Sequence, residues 1–379
     1  MGAPQKFSDD EMIAALKETG NNRRAAARLL GVNAGALISR QQRIALRGYS
    51  PEHDMTRTVP EGFTVKGVST CYDRDGNMSQ QWVKSNQDAE AVRRMLEATA
   101  AAMAEIIPRA KAVKGPRSSN ADLLNLYVIT DYHLGMLSWP EETGDDWDTD
   151  RAEKMLVDWF SAAIAASPDA TRGVFAQLGD FLHWDGMDAV TPASKHLLDA
   201  DTRFQKLVRV AIRVIRQVIG MLLAKHDTVH IIMAEGNHDP ASSIWLRELF
   251  RALYEVEPRI SVDLSPDPYY CVEHGLTSLF FHHGHKRKPA AVSDVFAAKF
   301  REVFGRTKHS YAHMGHMHHI DVKENNLMLV EQHRTLSGSD AYASRGGWMS
   351  GRDAQVITYH AKFGEVGRNR INSQMLEAA

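Results

Sequence analysis

Residues of metal-binding type follow a short apolar run near the middle of the chain. The run covers residues 230–235, and Gly236 ends it before Asn237, His238 and Asp239. In open α/β sheets, ligands bind beyond the carboxyl ends of the strands, so a strand that ends in such residues predicts an active-site loop. The alternative is a capped turn, in which Asn237 and Asp239 bond to their own backbone. This stretch alone does not decide between the two.

The same arrangement recurs along the second half of the chain. Apolar runs at residues 124–130, 173–178 and 278–281 each precede such residues, and a Gly-His-x-His segment follows at residues 315–318. Ten of the 18 histidines lie from residue 282 onward, which makes this part of the chain a candidate contributor to a metal site. The residues concerned are Asp131, His133, Asp180, His283, His316 and His318.

These residue types suit a pair of divalent cations. Two cations roughly 3.5–4 Å apart need an anionic oxygen between them, which aspartate supplies, and imidazoles complete the coordination. One intervening residue, as at 131/133 and 316/318, puts both side chains on the same side of an extended segment. Each motif alone is more often structural, and Asp180 by itself could cap a helix. Together they predict one shared site, because a core would not otherwise place so many polar groups at successive strand ends.

Taken in order, the motifs D-x-H, G-D, G-N-H-D, H-G and G-H-x-H over about residues 123–320 resemble those of the calcineurin-like metallophosphoesterase superfamily. The resemblance implies an α/β (α+β) fold, a four-layer αββα sandwich, and hydrolysis of a phosphoric ester by a metal-activated hydroxide. It implies two divalent metal ions, Mn²⁺ first and Fe or Zn as alternatives, because His, Asp and Asn ligands suit all three. One ion would be held by Asp131, His133, Asp180 and His318, and the other by Asp180, Asn237, His283 and His316.

The resemblance also assigns roles outside the ligand set. His238 would stabilise or protonate the leaving oxygen, and Asp239 would orient it. His283 is chosen as the ligand at its strand end because the histidine of the family directly precedes glycine. His282 and His285 lie near the same strand end, and His309, His313, His319 and His333 are expected to be solvent-exposed or to lie behind the ligands rather than to bind an ion.

Two features favour a phosphodiester substrate. The protein Ser/Thr phosphatases of the superfamily carry an arginine after Gly-Asp and a glutamate at the end of the third motif, whereas this chain has Phe181 and Asp239 there. The segments 131–135 and 179–183 resemble those of the SbcD-type repair nucleases, which implies that His183 assists diester cleavage. A packing role for His183 remains the alternative.

The N-terminal residues predict a DNA-binding module. Residues 8–47 read as three short helices with a glycine-containing turn between the second and third, which is the helix-turn-helix pattern. The tract from Gly20 to Arg40 resembles the Fis-type family. Residues 1–50 carry eight Lys and Arg against four Asp and Glu, a net charge of +4. The alternative is a helical bundle for protein contact. The residues expected to contact DNA are Arg23, Arg24, Asn33, Arg40 and Arg43.

The chain is accordingly expected to contain three parts. Residues 1–50 form the small all-α helix-turn-helix domain, residues 51–120 a β-hairpin, a helix and a linker, and residues 121–379 the metallophosphoesterase domain. An apolar stripe on the helix predicted at 88–107 needs a partner surface, either the catalytic domain or a second copy of the chain in a homo-oligomer. The hairpin is predicted from an Asp-Gly pair at 75–76 between two strand-like runs.

Composition limits the remaining functional classes. Two cysteines without a CxxC spacing indicate a reducing compartment, and no stretch of about 18 apolar residues occurs. We therefore expect a cytoplasmic protein without a membrane partner, and the small DNA-binding module on such an enzyme suggests that it is bacterial or phage-encoded. The chain has no GxxxxGK[ST] segment, so an ATPase would be a separate partner. The leading hypothesis is a DNA phosphodiesterase or nuclease; the alternatives are a small-molecule (cyclic or dinucleotide) phosphodiesterase or phosphatase and a non-catalytic DNA-binding regulator.

Overall fold

The structure is a computed structural model, and it describes residues 7–20, 22–46, 63–72, 78–87 and 113–377. The chain forms two compact units, residues 1–97 and 98–379, which are described separately below. The predicted division into three parts, with boundaries at residues 50 and 120, stays a prediction. The helix predicted at 88–107 lies outside the described residues.

The three helices predicted at the N-terminus are confirmed. They are α1 (Asp9–Glu18), α2 (Arg23–Leu29) and α3 (Ala34–Leu46). Ser8 and Glu11 form a capping box at the start of α1, which satisfies backbone N–H groups that a helix leaves unpaired. The apolar faces of the helices share a core that includes Met12, Leu16, Ala26, Ala27, Leu37 and Ile44.

A two-stranded antiparallel ribbon follows in the same unit. It consists of β1 (Phe63–Tyr72) and β2 (Met78–Gln87), with Val68 opposite Val83. The strands of the predicted hairpin are therefore present. The residues of its predicted turn, 73–77, lie outside the described part of the chain.

The second unit contains two β-sheets flanked by helices. The six-stranded sheet has the order β13-β12-β3-β4-β5-β6 and the five-stranded sheet the order β10-β11-β9-β8-β7. The strands are β3 (Asn120–Ile129), β4 (Ala170–Gln177), β5 (Thr228–Met233), β6 (Ile260–Val262), β7 (Tyr270–His274), β8 (Thr277–His282), β9 (His309–Met314), β10 (Asp321–Glu324), β11 (Leu329–Gln332), β12 (Asp353–His360) and β13 (Gly364–Asn372). The helices are α4 (Pro140–Thr143), α5 (Thr149–Ala166), α6 (Phe204–Lys225), α7 (Pro240–Leu253), α8 (Pro289–Lys299), α9 (Arg301–Arg306), α10 (Ala341–Gly346) and α11 (Ser373–Glu377).

The two sheets pack face to face between two helical layers. Successive side chains of a strand point to opposite faces, so each strand supplies two cores. Between the sheets, Leu126 and Val174 of the six-stranded sheet share a core with Phe281 of the five-stranded sheet. On the outer face of the six-stranded sheet, residues such as Tyr127 pack against α5 and α6, and on the outer face of the five-stranded sheet, Phe280 packs against α8. The predicted four-layer αββα sandwich is confirmed.

The parallel strands of each sheet determine where the site can lie. β3, β4 and β5 are parallel neighbours in one sheet, and β8 and β9 are parallel neighbours in the other. The carboxyl ends of these strands therefore meet at one edge of the sandwich, which is where ligands bind in sheets of this kind.

Candidate metal centre

The five strand ends bring the seven predicted ligands together. Asp131 and His133 follow β3, Asp180 follows β4 and Asn237 follows β5, while the three histidines follow β8 and β9. Two groups of ligand atoms result, and within each group the atoms lie within 4.8 Å of one another. One group is Asp131, His133 and His318, and the other is Asp180, His283 and His316.

The distances place these two groups beside each other. In the first, His318 Nε2 lies 3.2 Å from Asp131 Oδ1 and 3.4 Å from His133 Nε2. In the second, His283 Nε2 lies 3.1 Å from Asp180 Oδ2 and 3.1 Å from Asn237 Oδ1. His283 Nε2 is also 3.9 Å from Asp131 Oδ1, so the groups adjoin. The grouping agrees with the ligand sets that the family resemblance implies, and their binding of ions stays a prediction.

Burial and charge hold the two aspartates of the centre in their ionised form. Burial alone would raise the pKa of Asp131 and of Asp180, but neighbouring imidazoles hold both well below their usual range. Burial would likewise lower the pKa of His283, and the carboxylates of Asp180 and Asp131 instead raise it to about 9. The two buried carboxylates therefore carry the negative charge of the centre, the imidazolium of His283 faces them, and a divalent cation would take the place of its proton.

The donor set also fits a metal ion. Oδ1 of Asp131 is buried and accepts no well-aligned hydrogen bond, its neighbour being the candidate ligand His318 with Nε2 at 3.2 Å, although buried polar atoms are nearly always paired. Its other oxygen, Oδ2, accepts from the backbone N–H of His316 at 2.8 Å and from the Thr130 hydroxyl at 2.6 Å. One carboxylate oxygen is thus fixed by the protein and the other is left for a cation. Nitrogen and oxygen ligands of this kind suit Mn, Fe or Zn.

His238 is placed by a contact that differs from the predicted one. The carboxylate of Asp239 accepts hydrogen bonds from the backbone N–H groups of Asp180 and Leu182, at 3.1 and 3.0 Å. The His238 ring instead has its Nδ1 2.9 Å from the backbone carbonyl of His183. The expectation that Asp239 orients the His238 ring is corrected accordingly, because its oxygens are used to hold the loop after β4.

His183 lies inside the centre rather than at its rim. It is fully buried, its Nδ1 is 3.2 Å from Nδ1 of His133, and its ring stacks on that of His238 with centroids 5.7 Å apart. Its Nε2 has no hydrogen-bond partner. Burial, followed by the charge of His238, lowers the pKa of His183 to about 3, so its ring is neutral. This placement is compatible with both readings of His183, assistance in cleavage and packing.

Three residues that support the centre were not found from the sequence. Asp185 accepts from the backbone N–H groups of Ala241 and Ser242 at 2.5 and 2.8 Å, so it caps α7 from the loop that carries His183. The only sequence sign is the proline that begins α7, and in the structure Asp239 before it makes no side-chain capping bond. Thr335 and Ser337 donate to the carbonyl of Asp131, about 200 residues away, and no local pattern marks them.

The residues predicted to contact DNA fall into two groups. Arg23, Arg24 and Asn33 are exposed, although Asn33 also accepts from the backbone N–H of Gly35 at 2.7 Å at the start of α3. Arg40 is only 8% exposed, forms an ion pair with Asp9 at 2.5 Å, and lies over the Phe7 ring. The prediction that Arg40 contacts a phosphate is therefore corrected, because its charge is used inside the helical core. The side chain of Arg43 lies outside what the structure describes.

Comparisons with known proteins give one family match and a set of similar solved structures. Residues 5–41, which include α1, α2 and most of α3, match the family model described as bacterial regulatory protein, Fis family. Similar solved structures include a predicted phosphoesterase from Streptococcus pneumoniae TIGR4 (10% identity, covering 67% of this chain and 92% of that chain, TM-score 0.30). Others are zinc-complexed Vps29 from Entamoeba histolytica (11%, 66% and 99%, TM-score 0.27) and an archaeal phosphodiesterase (12%, 65% and 99%, TM-score 0.31).

Two searches, one of curated sequences and one for membrane-spanning helices, gave negative results. A search of curated protein sequences finds no significant match to this chain. In the part of the chain that the structure describes, no helix combines the length and apolar character needed to cross a membrane.

Proposed function

We propose that this chain is a metal-dependent phosphodiesterase that cleaves DNA. The observation that carries the proposal is the convergence of seven oxygen and nitrogen ligands at one edge of the sandwich, in a chain whose N-terminus is a Fis-type helix-turn-helix. A DNA-binding module on the same chain would hold the active site close to its polymeric substrate and raise its effective concentration.

Different residues of the chain would carry out different parts of the reaction. Divalent ions held by the two ligand groups would activate water and offset the negative charge of the phosphate. Because the His183 carbonyl can only accept, His238 carries a hydrogen on Nδ1, and Nε2 is the ring atom that faces the reaction; it would give a proton to the leaving oxygen from the doubly protonated imidazolium form of the ring. Asp239, by bonding to two backbone N–H groups, keeps Asp180 in position.

An exposed aromatic pair, which follows a segment that contacts the centre, supports a nucleic-acid substrate. Tyr342 and Trp348 are 71% and 58% exposed, and their ring centroids are 5.0 Å apart. The segment leading to them lies against the centre, since the Thr335 and Ser337 hydroxyls bond to the Asp131 carbonyl. Bases of a single strand stack on such rings.

The loop that carries Tyr342 and Trp348 also supports a second candidate function, in which the substrate is a small phosphodiester such as a cyclic or dinucleotide. Its two arginines are neutralised by acidic partners: Arg345 pairs with Glu142 at 2.6 Å, and Arg352 pairs with Asp145 at 3.0 Å. The loop therefore offers aromatic surface without free positive charge, which suits one or two nucleotides better than a long polyanion.

The test uses the purified full chain with Mn²⁺ on single- and double-stranded DNA, a bis-nitrophenyl diester, a monoester and cyclic nucleotides. We expect DNA and the small diester to be hydrolysed, with loss on chelation and in Asp180→Asn. Asp267→Asn is the matched control, because Asp267 is a half-exposed partner of Lys299.

Each outcome separates one candidate from the others. Turnover of small diesters with intact DNA would favour the second candidate and reject the first. Binding of DNA without hydrolysis of any ester would favour a non-catalytic regulator. Activity that survives both chelation and Asp180→Asn would contradict the metal-dependent reaction altogether.

A further inference from the structure

A separate group of metal-binding side chains lies within the sandwich and shares no residue with the centre described above. It consists of His313 in β9, Glu331 in β11 and His333 immediately after that strand. Their ligand atoms lie within 4.8 Å of one another, and the three residues are only 1–2% exposed. We call these three residues the inner triad.

The sheet itself brings the inner triad together. β9 and β11 are parallel neighbours, and Glu331 lies directly opposite His313 in the register. His333 is two residues beyond Glu331, and its backbone N–H bonds to the Met314 carbonyl at 2.8 Å, so the two strands stay paired there. Residues two apart on a strand share a face, so the three side chains converge.

The hydrogen bonds of the inner triad leave two buried atoms unpaired. His313 Nε2 lies 3.0 Å from the Tyr359 hydroxyl, and His313 Nδ1 lies 2.9 Å from His333 Nε2. Nδ1 of His333 and Oε2 of Glu331 have no hydrogen-bond partner. Whichever ring nitrogens carry the hydrogens, Nδ1 of His333 at the end of this series has no hydrogen-bond partner.

The surrounding charges leave room for a cation. Arg368 is the nearest guanidinium: its Nη1 contacts Oε1 of Glu331 at 2.6 Å, not the unpaired Oε2. The same guanidinium also bonds to both oxygens of Glu365, at 2.8 and 2.9 Å. One arginine therefore faces two carboxylates, while Asp353 and Arg370, which also act on His333, pair with each other.

We propose that the inner triad holds a structural divalent ion through Oε2 of Glu331 and one ring nitrogen from each histidine. Two imidazoles and a carboxylate are the protein ligands of three-ligand zinc sites, in which a water completes the coordination. The Tyr359 hydroxyl, 3.0 Å from His313 Nε2, fixes the orientation of that ring, as partners of metal-bound histidines do, and an ion bound at Nδ1 would replace the contact of Nδ1 with His333 Nε2. Because the site is closed to solvent, the ion links β9 and β11 and takes no part in catalysis.

The test counts zinc in the full-length protein. Wild type, Glu331→Gln and His333→Gln are equilibrated with Zn²⁺, freed of loosely bound metal by gel filtration, and measured by elemental analysis. We expect each variant to hold one zinc per chain fewer than the wild type. Glu365→Gln is the matched control, because Glu365 bonds to the same Arg368 without belonging to the triad, and it should retain the wild-type count.

A second measurement keeps the proposal testable if those variants do not fold. Asp180→Asn impairs the catalytic centre, and this variant should still retain one tightly held zinc per chain. Retention of no zinc in Asp180→Asn, or an unchanged zinc count in a folded Glu331→Gln, would overturn the proposal. The outcome is independent of phosphodiesterase activity, so a failure of the proposed function leaves this test unaffected.

Discussion

At the scale of single residues, the candidate centre is distinguished by its backbone. Six described non-glycine residues have a positive φ, and five of them are predicted ligands: Asp131, His133, Asp180, His316 and His318. Left-handed backbone is uncommon outside glycine, and it persists at functional sites where the surrounding structure holds it. Each loop thus turns sharply at the end of its strand, which brings its ligands inward.

Two glycines of the motifs are required because neighbouring atoms leave no space for a Cβ, and not because of a positive φ. A Cβ at Gly236 would collide with the side chain and backbone nitrogen of Asp180, and one at Gly315 would lie 2.6 Å from Oδ2 of Asp131 as well as on the Thr130 hydroxyl. No side chain fits at either position. The glycines of the third and fifth motifs therefore allow two loops to approach the aspartates.

Gly236→Ala should disrupt the centre. Because the new Cβ falls on Asp180, we expect loss of bound metal and a fall in kcat/KM of about 100-fold or more, as misplacement by about 1 Å produces. Metal content and turnover of the small diester are the measurements. Gly220→Ala, with no atom within 4 Å of the added carbon, is the control and should leave both unchanged. Full activity of Gly236→Ala would contradict the placement of Asp180.

Asp185→Ala tests the support that Asp185 gives to His238. Loss of the cap should destabilise α7 by about 1 kcal/mol and loosen the loop whose His183 carbonyl holds the His238 ring. We expect kcat to fall while KM and metal content change little. Exposed Asp188→Ala is the control. Loss of metal together with kcat would instead indicate that Asp185 supports the ligands themselves.

At the scale of elements, the helical layer on the six-stranded sheet is joined to it by a buried histidine. His226 follows α6, and its Nε2 lies 2.9 Å from the Tyr127 hydroxyl of β3, while its Nδ1 lies 2.7 Å from the Ala170 carbonyl. A Cβ at Gly173 of β4 would lie 2.5 Å from the His226 ring, so the glycine allows the ring to pack directly on the strand. Strand, helix and loop meet at this one side chain.

Burial, opposed by the bond to Ala170, lowers the pKa of His226 to about 4. The unfolded chain, with the ordinary histidine pKa of about 6.5, binds this proton more readily. Stability is therefore full above about pH 6.5 and falls as the pH drops toward 4, by up to roughly 3 kcal/mol. Urea unfolding should show a steeper loss over this range in wild type than in His226→Gln. The control is His196→Gln, at an exposed histidine, and its free energy of unfolding should depend on pH as that of wild type does. If wild type and His226→Gln lose stability in parallel as the pH falls, protonation of His226 does not destabilise the fold.

At the scale of the whole molecule, binding and hydrolysis are expected to belong to different units of the chain. The double variant Arg23→Ala/Arg24→Ala removes two exposed cations of α2. If both contact phosphates, the salt dependence of DNA affinity should weaken by about one unit of log–log slope for each arginine. Small-diester turnover should not change. The control is the double variant Lys154→Ala/Arg251→Ala, which removes two exposed cations of the other unit. If the salt dependence of DNA affinity has the same slope in both double variants, the DNA-binding role of α2 is rejected.

Local patterns were sufficient for several elements and for the choice of the candidate ligands, whose binding of ions stays a prediction. Apolar runs are properties of neighbouring residues, so β3, β4 and β5 appeared within a few residues of the runs that predict them. Most of the candidate ligands follow such a run, whereas His316 and His318 were chosen from the Gly-His-x-His segment. The convergence of the strand ends at one edge follows from the parallel pairing of the strands in the structure.

What only the tertiary structure decided depends on contacts between residues far apart in sequence. Arg40 looked like a phosphate ligand until its partner Asp9, 31 residues away, was in place. Asp239 looked like the partner of His238 until it was seen to bond to the loop after β4, and Asp185, Thr335 and Ser337 gave no local sign of their roles. The inner triad was likewise not predicted, because His313 and His333 become neighbours only through the pairing of β9 with β11. Sequence spacing records which residues share a strand or helix face, whereas hydrogen-bond partners across the fold depend on how those faces pack.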